Sequence, residues 1–358
     1  MLPDQFVYSP LASRVVFGAG KLSFVDQEVD RLGARRALVL CTPEQYALAE
    51  RVADLLGNRC AKIFAGAVMH VPIEAAREAR QLATALDADC AVAVGGGSTI
   101  GLGKAIALES ALPIVAVPTT YAGSEMTPIF GITENGQKRT GRDLRVLPRT
   151  VIYDPELTLS LPAGMSATSG LNAIAHCVEA TFATDGNPVT TMMAEAGIRA
   201  LATGLPGVVA QPQDLAARTA CLYGAWLAGT VLGSCAVALH HKLCHTLGGM
   251  LNLPHAETHS IILPYATQYN AAAVPEAMAK IASALNANSA PEGLYRLARQ
   301  LGVPSSLANL GVRHEDLARV ADQAMLAPYP NPAPLTRGGL LDLLEQAFSG
   351  DMPQPIHV

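Results

Sequence analysis

Charge is scarce in this chain. Only 15% of its 358 residues are charged and half are apolar, a balance that excludes a disordered polypeptide. Basic residues are not in excess: 25 Lys and Arg face 30 Asp and Glu, for a net charge of −5. A nucleic-acid binder carries a basic face, so that class gains no support. Uninterrupted apolar runs of membrane-spanning length are also missing. The longest candidates, such as residues 225–239, are rich in Ala and broken by Gly and Ser, and they read as buried helices. The first ten residues lack the basic-then-apolar layout of a secretion signal, so a cytoplasmic protein is expected. Seven cysteines (41, 60, 90, 177, 221, 235 and 244) show no paired spacing. They are expected as buried free thiols in a reducing compartment rather than as disulfides or a zinc cluster. At 358 residues the chain exceeds one compact core, and two domains are expected.

What is present divides near residue 157. Over residues 1–157, short β-branched runs alternate with helical segments. Strands are expected at Val15–Phe17, Ala37–Cys41, Ile63–Phe64, Cys90–Val94, Ile114–Val117 and Val151–Tyr153, with helices at Glu44–Leu56 and Ile73–Leu86. Such alternation implies a parallel α/β sheet. Asn135-Gly136 adds a type I′ hairpin signal between Ile129 and Thr140. The run Gly95-Gly96-Gly97-Ser98 follows a strand and opens a helix, where backbone amides and the helix dipole favour a phosphate. Its spacing is not that of the ordinary dinucleotide fingerprint, and a simple tight turn reads the same way. Thr119, Thr120 and Ser124 follow another strand end; their hydroxyls either face a ligand crevice or cap a helix. Cys41 and Thr42 close the second strand, where NAD-preferring enzymes often place an acid for the ribose. With Cys41-Thr42-Pro43 there, use of both NADH and NADPH is expected.

Residues 158–358 lose the strand signals. Helices are expected near Leu171–Phe182, Val189–Ala202, Leu215–Leu232, Val237–Leu251, Pro275–Leu285, Glu292–Leu301, Glu315–Met325 and Thr336–Phe348. Five histidines fall between Val237 and His259. His241 and His245 are four apart and share a helix face, and His255 follows Pro254 at an expected helix end, where the chain can fold back. Asn172 and His176 repeat the four-residue spacing upstream. Such a cluster is either a metal site or a proton-handling pocket.

Taken in order, these motifs resemble the iron-containing (group III) alcohol dehydrogenases over nearly the whole chain. The residues that carry the likeness are the glycine–serine loop, Thr119-Thr120-x-x-Gly123-Ser124-Glu125, Gly170-Leu171-x-Ala173-x-x-His176 and His241-x-x-x-His245-x-Leu247-Gly248-Gly249-x-x-x-x-Pro254-His255. The resemblance implies the fold shared with dehydroquinate synthase: an α/β nucleotide-binding domain, an all-helical domain, and an active site in the cleft between them. It also implies a divalent-metal site whose ligands fall on Asn172, His176, His241 and His255, with His245 as a supporting or proton-relay residue. The family pattern has an aspartate where this chain has Asn172. A neutral amide supplies neither charge nor a strong oxygen ligand, so no metal is expected.

Tyr121–Pro128, Leu239–His245 and Ser169–Asn172 resemble the branch of that family that reduces maleylacetate more closely than its metal-dependent members. This implies NADH- or NADPH-dependent reduction of maleylacetate to 3-oxoadipate in aromatic-compound breakdown, by a homodimer. The alternative is a metal-dependent alcohol or polyol dehydrogenase of the same fold. On the first reading, His176, His241, His245 and His255 stabilise an oxyanion or deliver a proton, as imidazoles near neutrality can. A dicarboxylate also needs cations; Lys242 beside the cluster and Arg142, Arg145, Arg149 and Arg337 in loops are the candidates.

Overall fold

The computed structural model describes residues 5–134, 137–326 and 329–356. They form two compact units, Pro10–Leu161 and the chain from Pro162 onward, the latter joined by the described residues before Pro10. The division falls four residues later than the boundary read at 157, because the 3-10 turn Pro155–Thr158 is tied to the first unit. Asp154 caps that turn at Glu156 and accepts hydrogen bonds from the backbone of Gly20 (3.1 Å) and Leu22 (2.8 Å).

The first unit contains strands β1 (Arg14–Phe17), β2 (Ala37–Leu40), β3 (Cys60–Phe64), β4 (Cys90–Gly95), β5 (Ile114–Pro118), β6 (Ile129–Glu134), β7 (Gln137–Arg142) and β8 (Thr150–Tyr153). Six of them make a wholly parallel sheet in the order β1-β8-β5-β4-β2-β3. Helices α1 (Val25–Arg31), α2 (Tyr46–Leu56), α3 (Ile73–Ala85) and α4 (Gly97–Ser110) accompany it. Side chains alternate across a strand. In β2, Ala37 and Val39 pack into one apolar cluster and Leu38 and Leu40 into another, so this strand is buried on both faces. β6 and β7 pair antiparallel from Ile129↔Arg142 to Glu134↔Gln137, a separate hairpin; the Asn135-Gly136 turn itself lies outside the described residues.

The strand order has a direct consequence for ligand binding. From β2 the chain moves outward to β3, then returns across β2 to β4 and continues in the opposite direction to β5. The reversal puts a topological switch point at the carboxyl ends of β2 and β4, where open parallel sheets leave a crevice for ligands. Gly95–Ser98 and Cys41–Thr42 follow those two strand ends.

The second unit is helical: α5 (Ala163–Ala180), α6 (Pro188–Ala210), α7 (Leu215–Ser234), α8 (Leu239–Leu251), α9 (His255–Asn270), α10 (Pro275–Leu285), α11 (Ala290–Gln300), α12 (Asp316–Met325) and α13 (Arg337–Ser349). α5 starts eight residues before the expected Leu171. Its small polar opening reads as loop, yet Ser166 and Thr168 bond back to the Pro162 and Gly164 carbonyls and sit within the helix. α9 is missing from the sequence reading, which expects no helix between Leu251 and Pro275. The helix carries Pro264 through its middle, so His255 begins a helix instead of ending one. By length and composition α7 is the one described helix apolar enough to cross a bilayer, and half of that stretch is buried. It packs closely on α6: a Cβ on Gly224 would stand 2.6 Å from Leu201 and 3.0 Å from the Gly197 carbonyl.

Candidate active site

Three helices of the second unit assemble the histidine cluster. α5 presents Asn172, His176 and Glu179 at spacings of four and three, which is one face of a helix. α8 contributes His240, His241 and His245, and α9 contributes His255 and His259. The rings of His176 and His241 stack at 4.9 Å, and His176 Nδ1 lies 2.8 Å from His241 Nε2. His245 and His255 stack at 6.2 Å, and His255 lies 4.2 Å from the His259 ring. His241 links the two groups, 6.2 Å from His245 and 5.1 Å from His259. The fold therefore brings His176, His241, His245 and His255 into one cluster.

Burial divides this cluster. Asn172, His176, His240, His241 and His259 are buried, whereas His245 and His255 are exposed to water. The Asn172 side-chain oxygen is buried without a hydrogen-bond partner. An orphan of this kind costs about 1–3 kcal/mol, so its retention calls for a reason beyond packing. His240 and His259 hydrogen-bond through Nε2 and Nδ1 at 3.0 Å, leaving His240 Nδ1 and His259 Nε2 unpaired. Burial first, and neighbouring imidazoles second, push both rings well below the usual histidine range, so they are neutral at physiological pH.

Glu179 is the residue that sequence reasoning missed. Its carboxylate accepts from the backbone of His240 (2.7 Å) and Ala238 (2.8 Å) and lies 2.6 Å from His241 Nδ1. α8 begins at Leu239 with no side-chain cap of its own, so a carboxylate from α5 satisfies its first amides. The available signal was the 172-176-179 spacing.

Does this donor set suit a divalent metal? At the positions implied by resemblance, one amide and three imidazoles bring no negative charge. His241 has Nδ1 on Glu179 and Nε2 on His176, so neither ring nitrogen is left over in this arrangement. The set therefore fits a hydrogen-bonded proton network better than a cation. His240, Cys244 and His259 form another group of ligand-type atoms, all within 4.8 Å of one another, but it is fully buried and internally hydrogen-bonded.

The expected cations are mostly committed elsewhere. The Lys242 ammonium lies 5.4 Å from the centre of the Tyr329 ring. Arg145 pairs with Asp143 and Arg337 with Asp322, both on the surface.

In the first unit the glycine loop has the form of a cradle. Gly95 has φ of 152°, and a Cβ there would fall 2.4 Å from Gln45 Oε1 and 2.5 Å from Thr99 Oγ1. A Cβ on Gly96 would meet Thr120 at 2.9 Å, whereas one on Gly97 would meet nothing within 4 Å. Gly96 caps α4 without a side chain, and the space beside Gly97 at the start of that helix is open. These residues fit the phosphates of a dinucleotide. Thr119 Oγ1 accepts from Gln45 at 2.7 Å, joining the loops after β5 and β2.

Three expected cofactor contacts are placed differently. Cys41 is fully buried in the core of the sheet, and burial pushes its thiol up to about 11. The Thr42 hydroxyl bonds to Glu44, whose carboxyl it holds below the usual range, so an ionised acid stands in the turn that was read as having none. The Ser124 hydroxyl and carbonyl both accept from Lys104 Nζ, at 3.2 and 2.6 Å. That ammonium also reaches Thr127 Oγ1 (3.0 Å) and the Ile129 carbonyl (2.7 Å), pinning the loop from within.

Comparison with known proteins follows the same division. Residues 12–155 match the iron-containing alcohol dehydrogenase model, and residues 166–348 match the C-terminal model of the Fe-containing alcohol dehydrogenase family. The chain is 60% identical to a maleylacetate reductase from Burkholderia cepacia, covering 98% of this chain and 99% of that protein. Among solved structures, a maleylacetate reductase from Rhizobium sp. strain MTP-10005 aligns with a TM-score of 0.96 at 52% identity, covering 98% and 100% of the two chains. A putative alcohol dehydrogenase from Ralstonia eutropha JMP134 aligns with the same TM-score at 62% identity and the same coverage.

Proposed function

The chain belongs to the iron-containing alcohol dehydrogenase family and is an oxidoreductase; within that family we propose that it reduces maleylacetate to 3-oxoadipate with NADH or NADPH. One observation carries this reading: 60% identity to a maleylacetate reductase over 98% of the chain.

The chemistry suits the cluster. Maleylacetate carries two carboxylates and a ketone conjugated to a C=C bond. A bound reduced nicotinamide supplies the hydride. As it adds to the alkene, charge spreads onto the ketone oxygen as an enolate. Fixed N–H donors in a buried site stabilise such an oxyanion without reorganising. His241 and His176 have their N–H groups committed to Glu179 and to each other, so they hold the cluster in place, and the rings that can turn an N–H toward the oxyanion are His245 and His255. His245 and His255, being exposed, exchange protons with water and deliver one to the carbon beside the ketone. One hydride and one proton then complete the reduction.

The reaction is proposed to need no metal. An enolate shares its charge over several atoms and asks less of a cation than an isolated alkoxide does. The neutral amide at Asn172 and the engagement of both His241 nitrogens support that view. A cytoplasmic homodimer is proposed as well; the seven free thiols, six of them buried, agree with a reducing compartment.

The test is direct. Purified protein, NADH and maleylacetate are mixed and the nicotinamide absorbance followed, with a simple ketone as control and metal content measured in parallel. Rapid loss of absorbance with maleylacetate alone, unaffected by chelator, is expected. Turnover of the simple ketone that stops on chelation would favour a metal-dependent alcohol dehydrogenase.

A further inference from the structure

We propose that Glu179 is a positioning residue that fixes which nitrogen of His241 carries its proton and so sets the direction of the His241–His176 hydrogen bond. The inference deepens the reading above and rests on the same cluster.

Three donors converge on this one carboxylate. Oε1 accepts from the His240 backbone, and Oε2 accepts from the Ala238 backbone while facing His241 Nδ1 at 2.6 Å. Side chains of Glu179 and His241 are both buried, so water does not substitute for any of them. A carboxylate has only acceptors to offer, which places the His241 proton on Nδ1. Nε2 is thereby left to accept from His176 Nδ1 at 2.8 Å, and the His176 Nε2 edge takes the opposite role. One acid on α5 thus orders two imidazoles in sequence and, through the same oxygens, holds the start of α8 from which His241 and His245 project.

No residue of matched shape replaces it. In Glu179→Gln an amide N–H₂ must face either the Ala238 and His241 donors or the His240 amide. Glu179→Asp keeps an acceptor-only group but shortens its reach. The expected order of activity is therefore wild type, then Asp, then Gln.

The experiment has two arms. In the first, kcat and KM for maleylacetate and for NADH are measured on wild type, Glu179→Asp and Glu179→Gln. Glu179→Gln should lose about 10²–10⁴-fold in kcat, as when a histidine loses the acid that orients it, with the NADH KM nearly unchanged. Glu179→Asp should regain at least about tenfold of that loss. A Gln variant within threefold of wild type overturns the proposal. In the second arm, wild-type protein with ¹⁵N-labelled histidine reports the His241 tautomer, with His241→Gln used to assign the signal. A protonated Nδ1 is expected, and a protonated Nε2 with bare Nδ1 overturns the proposal even if Glu179→Gln fails to fold. Should wild type not reduce maleylacetate at all, the functional reading fails while the tautomer measurement still decides this one.

Discussion

Asn172→Asp restores charge to the position at which the family pattern has it, and the structure sets what that costs. Asn172 is 6% exposed, its oxygen has no partner, and His176 lies one turn further along α5. Asp has nearly the same shape, so packing is unchanged and only the charge is new. Burying an uncompensated charge costs about 3–5 kcal/mol. For a unit of this size that corresponds to roughly 6–20 °C in Tm. If the buried imidazoles form a cation pocket once a carboxylate joins them, zinc at a hundred times its Kd returns about 2.7 kcal/mol, or roughly 5–11 °C. The assay is thermal unfolding in chelator and in zinc, with metal content measured on the purified variant. Wild type should shift by less than about 1 °C on the same titration, because it offers only neutral donors. An Asp variant that melts identically in chelator and zinc, and purifies without metal, refutes the idea that Asn172 occupies a vacated ligand position. A wild type that gains as much from zinc as the variant refutes metal-free function.

Other tests address separate parts of the molecule. His245→Ala should lower kcat by about 10²–10⁴-fold with little change in cofactor affinity, since a proton donor acts on the chemical step; steady-state kinetics and NADH titration decide, and a loss below tenfold removes it from the mechanism. NADH and NADPH should support kcat/KM values within about tenfold of each other; if NADPH is instead disfavoured by more than about a hundredfold, Glu44 becomes the discriminating acid and Glu44→Gln should relax the preference. Lys104→Met should alter how stability depends on pH. Burial pushes the ammonium down to about 7 from 10.5, so between those values the unfolded chain binds the extra proton and this group makes stability rise with pH, by at most about 1.4 kcal/mol per unit. Below 7 both states are protonated and the slope vanishes. Glu125, raised by burial, acts in the opposite sense from 4.5 upward, so the readout is the difference between wild type and variant in denaturant titrations at pH 7 to 10. Identical slopes would show that Lys104 titrates normally.

The parallel sheet was legible because each strand is buried on both faces or bounded by turns, and apolar runs of that kind survive in a single sequence. Helix α9 was not, because a proline disfavours a helix interior while the tertiary packing of Ile261, Ile262 and Tyr265 holds the helix through Pro264. The histidines were found by spacing alone. Glu179 was hidden because its meaning is non-local: an acid on α5 has no visible link to α8 amides some sixty residues on until the helices pack. The same applies to Ser124 and Lys104, where a hydroxyl that looks available for ligand is turned inward by a lysine on another element. Cys41 failed for a simpler reason. It continues the alternation of β2, and that alternation directs it into the core.

The division between buried and exposed rings constrains how a proton can reach substrate. His240 and His259 are kept neutral by burial, and charging either would require desolvating a cation among other imidazoles. The Glu179–His241–His176 chain is also buried, so its protons are held in place by hydrogen bonds and not renewed from water. Only His245 and His255 combine membership of the cluster with contact to solvent. A reduction that consumes one proton per turnover must draw it from water, and these two rings are where the cluster meets water. Of the pair, His245 lies one helical turn from His241 on α8 and shares its face, which sets the renewable proton beside the fixed Glu179–His241–His176 chain. Removing His245 should therefore make kcat depend on added imidazole or another small buffer acid, while removing a buried ring should not, because no buffer molecule reaches it. Rescue of His245→Ala by imidazole, absent for His176→Ala, is the outcome this argument requires. Equal rescue of both would mean that the buried chain exchanges freely with solvent and that the division of labour between the rings is wrong.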